Sequence, residues 1–152
     1  VDAWIGKGDA LFRLKNYEEA SLCYSRALEL HPAEDRVWVA WGVCQNRLGK
    51  FDAALACFEK ALAFNPNNPV AWFEKGLCLA GWRRNQEAIR AYNHAISLDP
   101  ACGAAYYEKG YSLAILGDED SAAACFEKAR SLGVSSFQSR VKYYYIDGYS
   151  FY

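Results

Sequence analysis

Large, small and polar positions recur along this chain with a period of 34 residues. Cut into 1–34, 35–68, 69–102 and 103–136, it carries a large ring at the fourth position of every unit (Trp4, Trp38, Trp72, Tyr106) and glycine at the eighth (Gly8, Gly42, Gly76, Gly110). Alanine fills position 20 (Ala20, Ala54, Ala88, Ala122) and position 27 (Ala27, Ala61, Ala95, Ala129), with an aromatic ring at 24 (Tyr24, Phe58, Tyr92, Phe126). Position 32 is proline in three units (Pro32, Pro66, Pro100) and Val134 in the fourth. The register needs no insertion or deletion, so one supersecondary unit is written four times.

Each unit predicts two helices, from about position 2 to 14 and from about 18 to 30, with a polar or glycine-bearing turn between them (Lys15-Asn16, Gly49-Lys50, Arg83-Arg84-Asn85, Gly117-Asp118). Each second helix should stop at His31-Pro32, Asn65-Pro66 and Asp99-Pro100, because proline lacks the helical donor and biases its predecessor away from the αR region. Acidic residues open the second helices (Glu18-Glu19, Asp52, Glu87, Asp120), opposing the positive end of the dipole. Asp118-Glu119-Asp120 belongs to such a helix start and is too short a run for a calcium loop.

Glycine inside a helix costs roughly 1 kcal/mol against alanine, so its return at position 8 demands a reason. Close packing supplies one. Gly at 8 and Ala at 20 and 27 leave room for the ring at 24 and for the ring at 4, and burying an aromatic side chain is a large gain.

Trp at 4, Gly at 8, Ala at 20, an aromatic at 24, Ala at 27 and Pro at 32, together with stretches such as EEASLCYSRALELHP and AWFEKGLCLA, resemble the tetratricopeptide repeat (TPR) family over residues 1–136. The sequence departs from that pattern at Lys7, Trp41, Lys75 and Lys109, where the family usually has Leu, at Gln45, and in the missing fourth proline. The resemblance implies an all-α fold: a right-handed α-α superhelix (TPR solenoid) of four helix-turn-helix repeats, TPR 1 to TPR 4, plus a C-terminal capping helix. Its first helices would line a concave groove, and its second helices would form the back.

Residues 137–152 leave the pattern. Phe137, Val141 and Tyr144 or Tyr145 fall at helical spacing, which predicts an amphipathic helix over 136–147 covering the last apolar face of the array. The same aromatic-rich segment, ending YYYIDGYSFY, could instead dock on a neighbouring copy.

Composition narrows the function. Charged residues make up 23%, the formal net charge is −1, and hydrophobic residues make up 53%, which excludes a disordered chain and a basic footprint for nucleic acid. No apolar run approaches the ~18 residues that would span a bilayer. The chain begins at Val1 and has no Met, so the expectation is a fragment or a processed chain. Its two histidines, His31 and His94, fall in a turn and on a second helix, and no phosphate loop or metal-ligand motif is present. The expectation is a non-enzyme without cofactor or metal. The six cysteines occupy small packing slots, Cys23, Cys57 and Cys125 at position 23 and Cys44 and Cys78 at position 10, with Cys102 in a turn. Without a C-x-x-C pair, they read as reduced structural thiols and favour a reducing, cytoplasmic compartment.

The groove positions implied by the resemblance are 2, 5, 6, 9, 12 and 13, and 2, 5, 9 and 12 do fall on one helical stripe. The candidate peptide-binding residues are Phe12, Arg13, Arg36, Val39, Val43, Arg47, Phe73, Glu74, Leu77, Tyr107, Glu108 and Tyr111. Arg13, Arg36 and Arg47 would face an acidic end of the ligand, Glu74 and Glu108 a basic end, and Phe73, Leu77, Tyr107 and Tyr111 would wall apolar pockets. The carboxylate clamp that reads chaperone tails is absent, since its slots hold Ile5, Asp9, Ala40, Val70 and Glu74, or one unit on Val39, Val43, Glu74, Ala104 and Glu108. The function expected is a scaffold or adaptor that binds a peptide or helix of a partner protein. The alternatives are self-association through 137–152 and an accessory domain of a larger enzyme.

Overall fold

The turn chemistry divides the chain where the pattern predicts. In a computed structural model that describes residues 2–134 and, beyond them, Tyr145–Ile146 and Tyr149–Ser150, helices α1 (Asp2–Arg13), α2 (Tyr17–Leu30), α3 (Asp35–Arg47) and α4 (Phe51–Phe64) precede Asn67. Helices α5 (Pro69–Gly81), α6 (Asn85–Leu98), α7 (Gly103–Ile115) and α8 (Glu119–Ser131) follow it. The second helices α2, α4 and α6 each end two residues before a proline. Asn68 caps α5, its side chain accepting from the backbone N–H groups of Val70 and Ala71, with Pro69 in the first turn. Asp118 caps α8 in the same way, accepting from Ser121 N–H.

The helices form two compact units that divide between Asn67 and Asn68. In the first, α1 pairs with α2 and α3 with α4, and α2 packs on α3. In the second, α5 pairs with α6 and α7 with α8, while α6 packs on α7 and α5 also touches α7. The fold is all-α, as the repeat pattern predicts.

The ring at position 24 is the centre of each pair. Tyr24, Phe58 and Tyr92 are buried to 1% exposure or less, as are the alanines at 27, and a Cβ placed on Gly8, Gly42, Gly76 or Gly110 would fall within 3.0 Å of the ring at 24 of its own repeat. The glycine is therefore a socket for that ring. In the first repeat the Tyr24 hydroxyl also donates to Asp9 Oδ1 at 2.6 Å. Burial and the neighbouring Asp9 carboxylate together push the Tyr24 phenol far up from its ordinary value.

The ring at position 4 behaves differently from the expectation that it shares this core. Trp4 is 37% exposed, while Trp38 and Trp72 are half-buried. Trp38 donates its indole N–H to the Pro32 carbonyl at 2.8 Å and stacks on Trp41, and Trp72 stacks on His94 at 4.1 Å between centroids. An indole keeps a polar N–H that a dry core would strand, so it settles at the edge.

Position 15 of every repeat adopts a left-handed backbone, at Lys15 (φ 61°), Gly49 (φ 76°), Arg83 (φ 62°) and Gly117 (φ 89°). Two of these turns thus hold a side chain where glycine is favoured. Lys15→Gly is expected to raise stability by about 0.5–1 kcal/mol, the relieved strain exceeding the entropy that glycine adds to the unfolded chain. A thermal melt shows it as a rise of roughly 2 °C; a fall would mean that Lys15 makes a contact worth more than the strain.

The helix expected over 136–147, and most of the tail 137–152, lie outside the described residues. Within that stretch Tyr145–Ile146 form strand β1, antiparallel to β2 (Tyr149–Ser150), with Tyr145 opposite Ser150 and Ile146 opposite Tyr149. Those four residues spend their backbone groups on a ladder rather than on a helix. No described helix is long and apolar enough to cross a membrane.

Candidate functional site

On the first unit, the apolar candidates Phe12, Val39 and Val43 are interior, while Ile5 on the same stripe is half-buried. Val39 and Val43 have no exposure, and Phe12 is buried edge-on against Tyr17, 5.2 Å between centroids. Arg13, Arg36 and Arg47 are exposed on α1 and α3. What this unit presents from the predicted set is therefore cationic.

The second unit presents a cleft. Phe73 is buried against Tyr92, 5.8 Å between ring centroids, and Glu74 is almost fully buried, at 1% exposure. Leu77 and Tyr107 are half-buried, Glu108 is buried, and Tyr111 is 56% exposed. Leu77, Tyr107, Glu108 and Tyr111 come together around a cleft of about 460 Å³, joined by Ala80, Gly81, Asn85, Ser112 and Ile115. On α7 these residues follow helical spacing (Tyr107, Tyr111, Ile115), so one face of the helix forms one wall. The other wall is the last turn of α5, where Ala80 and Gly81 leave the space unfilled, and the first residue of α6.

Tyr107 is held by an edge contact to Phe126, 5.5 Å between centroids. Its position is therefore set by the core. Among the described residues no lysine or arginine lines the cleft, and Glu108 contributes an acidic group to its wall. Such a surface accepts apolar side chains and hydrogen-bond donors and disfavours anions.

Asn85 is the cleft residue that the groove register overlooks, because position 17 lies outside it. Its signal was in the sequence: position 17 reads Tyr17, Phe51, Asn85, Glu119, and position 12 reads Phe12, Asn46, Ala80, Ala114. The first repeat has a ring at both places, the second at position 17 alone, and the third and fourth at neither. On its other side Asn85 borders a second cleft with Arg83, Arg84 and Arg90, where Arg84 is bidentate to Glu87 (2.6 and 2.8 Å) and lies over Trp82. Hydrogen bonding from Arg84 holds the Glu87 carboxyl below its ordinary value.

None of the six cysteines is in a disulfide and all are buried, each in the slot its register assigns or, for Cys102, at the start of α7. Burial pushes the Cys44 thiol up from 9.0 to about 12.

Family models of the tetratricopeptide repeat match residues 1–33 and 36–68, 57–90 and 81–133. No curated protein matches the chain. Among solved structures, MamA from Desulfovibrio magneticus RS-1 (residues 41 to the end) superposes with a TM-score of 0.80, at 24% identity over 86% of this chain and 74% of that one. A further MamA structure gives 0.77 at 23% identity over 94% and 85%. YrrB, described as a TPR protein with an unusual peptide-binding site, gives 0.76 at 24% identity over 86% and 68%. These likenesses concern the fold.

Proposed function

Because this chain belongs to the tetratricopeptide repeat family, we propose that it is a non-catalytic protein-interaction module that binds a peptide or helix of a partner protein along its first helices. The observation that carries this reading is the cleft walled by Leu77, Tyr107 and Tyr111, with Tyr111 and Ile115 more than half exposed beside it. Exposed aromatic and branched side chains around a preformed concavity are the composition of a binding surface. The likeness to YrrB, itself described as having a peptide-binding site, supports the same reading. On the first unit, taken by itself, the exposed Arg13, Arg36 and Arg47 make a cationic surface that suits an acidic segment. On the second unit Glu108 lends an acidic wall to the cleft, while the near-complete burial of Glu74 withdraws it from contact with a ligand.

An unbiased peptide library selected against the purified chain, in parallel with Tyr107→Ala/Tyr111→Ala, tests the proposal. One motif should be enriched on the parent and lose at least about tenfold in affinity, or about 1.4 kcal/mol, on the variant. Equal enrichment on both folded chains would place recognition elsewhere. Phe73→Ala is unsuitable for this test, since Phe73 is core.

A further inference from the structure

The first repeat shows what belongs in the space that the third leaves open. There Phe12 and Tyr17 meet edge to face, 5.2 Å apart. At the same two positions the third repeat has Ala80 and Asn85, and the cleft of about 460 Å³ lies against both. The third repeat thus holds no ring where the first holds two, and the space beside Ala80 and Asn85 has the width to take one.

Asn85 adds a second, independent observation. It is nine-tenths buried, yet its Oδ1 has no hydrogen-bond partner among the described residues. A buried acceptor left unmade is costly, and the free protein carries that cost until a donor arrives. The χ2 torsion of asparagine is soft, so the amide can turn its oxygen to a donor placed in the cleft. With Glu108 on the wall and no lysine or arginine among the described residues that line this cleft, a ligand that brings a donor and no negative charge suits it.

We propose that this cleft takes the side chain of a tyrosine from the bound peptide, its ring between Leu77 and Tyr111 and its hydroxyl donating to the Asn85 amide. The inference rests on the reading of the cleft as a peptide site. Phosphorylation of that tyrosine removes the donor and brings about two negative charges to Glu108, so binding becomes specific for the unmodified residue.

The test uses the whole chain, labelled with ¹⁵N, and a short peptide of alanines flanking a central tyrosine, with phenylalanine, leucine and phosphotyrosine versions. The tyrosine peptide should shift the Asn85 side-chain amide signals and bind about fivefold tighter than the phenylalanine peptide, the worth of one hydrogen bond. The phosphotyrosine peptide should not bind. Asn85→Leu should bring tyrosine and phenylalanine to equal affinity. Ala80→Phe/Asn85→Tyr refills the space as Phe12 and Tyr17 do, and should melt no lower than the parent while losing the peptide. Equal affinity for tyrosine and phenylalanine on the parent, or binding retained by the refilled variant, overturns the inference. If leucine peptides or library peptides without tyrosine occupy the cleft, the inference fails and the interaction module stands. If the library enriches nothing and no probe binds, both fall.

Discussion

Gly76→Leu is expected to lower the melting temperature by roughly 5–10 °C, which follows from about 2–3 kcal/mol of overpacking in a chain of this length. A Cβ at Gly76 would already lie under 3.0 Å from the Tyr92 ring, and Tyr92 has no exposure and therefore nowhere to retreat. Leucine adds three more carbons in the same direction. The loss outweighs the roughly 1 kcal/mol of helix propensity that replacing glycine returns. Gly6 is the control: it lies in α1, and a Cβ added there would meet nothing within 4 Å, so Gly6→Ala should raise stability slightly. Thermal melts followed by far-UV circular dichroism separate the two cases. A Gly76→Leu melt that matches the parent would mean that the helix pair can open without cost, against the socket reading of position 8.

Alkylation of Cys44 in the folded protein is expected to be about a thousandfold slower than in the unfolded chain near pH 8, because only the thiolate reacts and a pKa of about 12 leaves little of it. The same burial sets a pH dependence of stability. Folded, Cys44 keeps its proton to about pH 12; unfolded, it releases it from 9.0 upward. Its contribution to stability is thus complete below pH 9 and is lost as pH rises from there to about 12, at up to about 1.4 kcal/mol per pH unit. Denaturant melts between those limits should fall in stability, and Cys44→Ala should fall less steeply. Rapid native-state labelling of Cys44, located by peptide mapping, would show that α3 opens far more easily than its burial allows.

Much of this architecture is legible along the chain itself. A period of 34 names the repeat, prolines mark where the second helices stop, and Gly at 8 facing a ring at 24 announces the helix-pair packing. Each of these is local: it depends on residues of one helix or one hairpin. Asp118 likewise reads as a helix start and caps α8. The left-handed turns at Lys15 and Arg83 are less legible, since neither residue advertises that backbone as Gly49 and Gly117 do.

The site is legible in part. The stripe at 5 and 9 is apolar in every repeat but the first, where Asp9 breaks it, and periodicity says only that its members share a helical face. Val39, Val43 and Phe73 lie on that face and are interior, while Tyr111 on the same register is exposed. Glu74 has the charge of a surface residue and the burial of a core one. Asn85 escapes notice because its meaning is comparative: it matters by standing where Tyr17 and Phe51 supply rings.

The sequence by itself determined the all-α repeat fold, the helix boundaries and the sockets at position 8, because these follow from spacing, turn chemistry and side-chain size within one unit. Only the tertiary structure decided which apolar positions became core and which became cleft, where Glu74 went, and that Ala80 and Asn85 leave an open space beside Tyr107 and Tyr111. Burial is a property of what the neighbouring helices cover, and no period along one chain encodes how much of a face its neighbours reach.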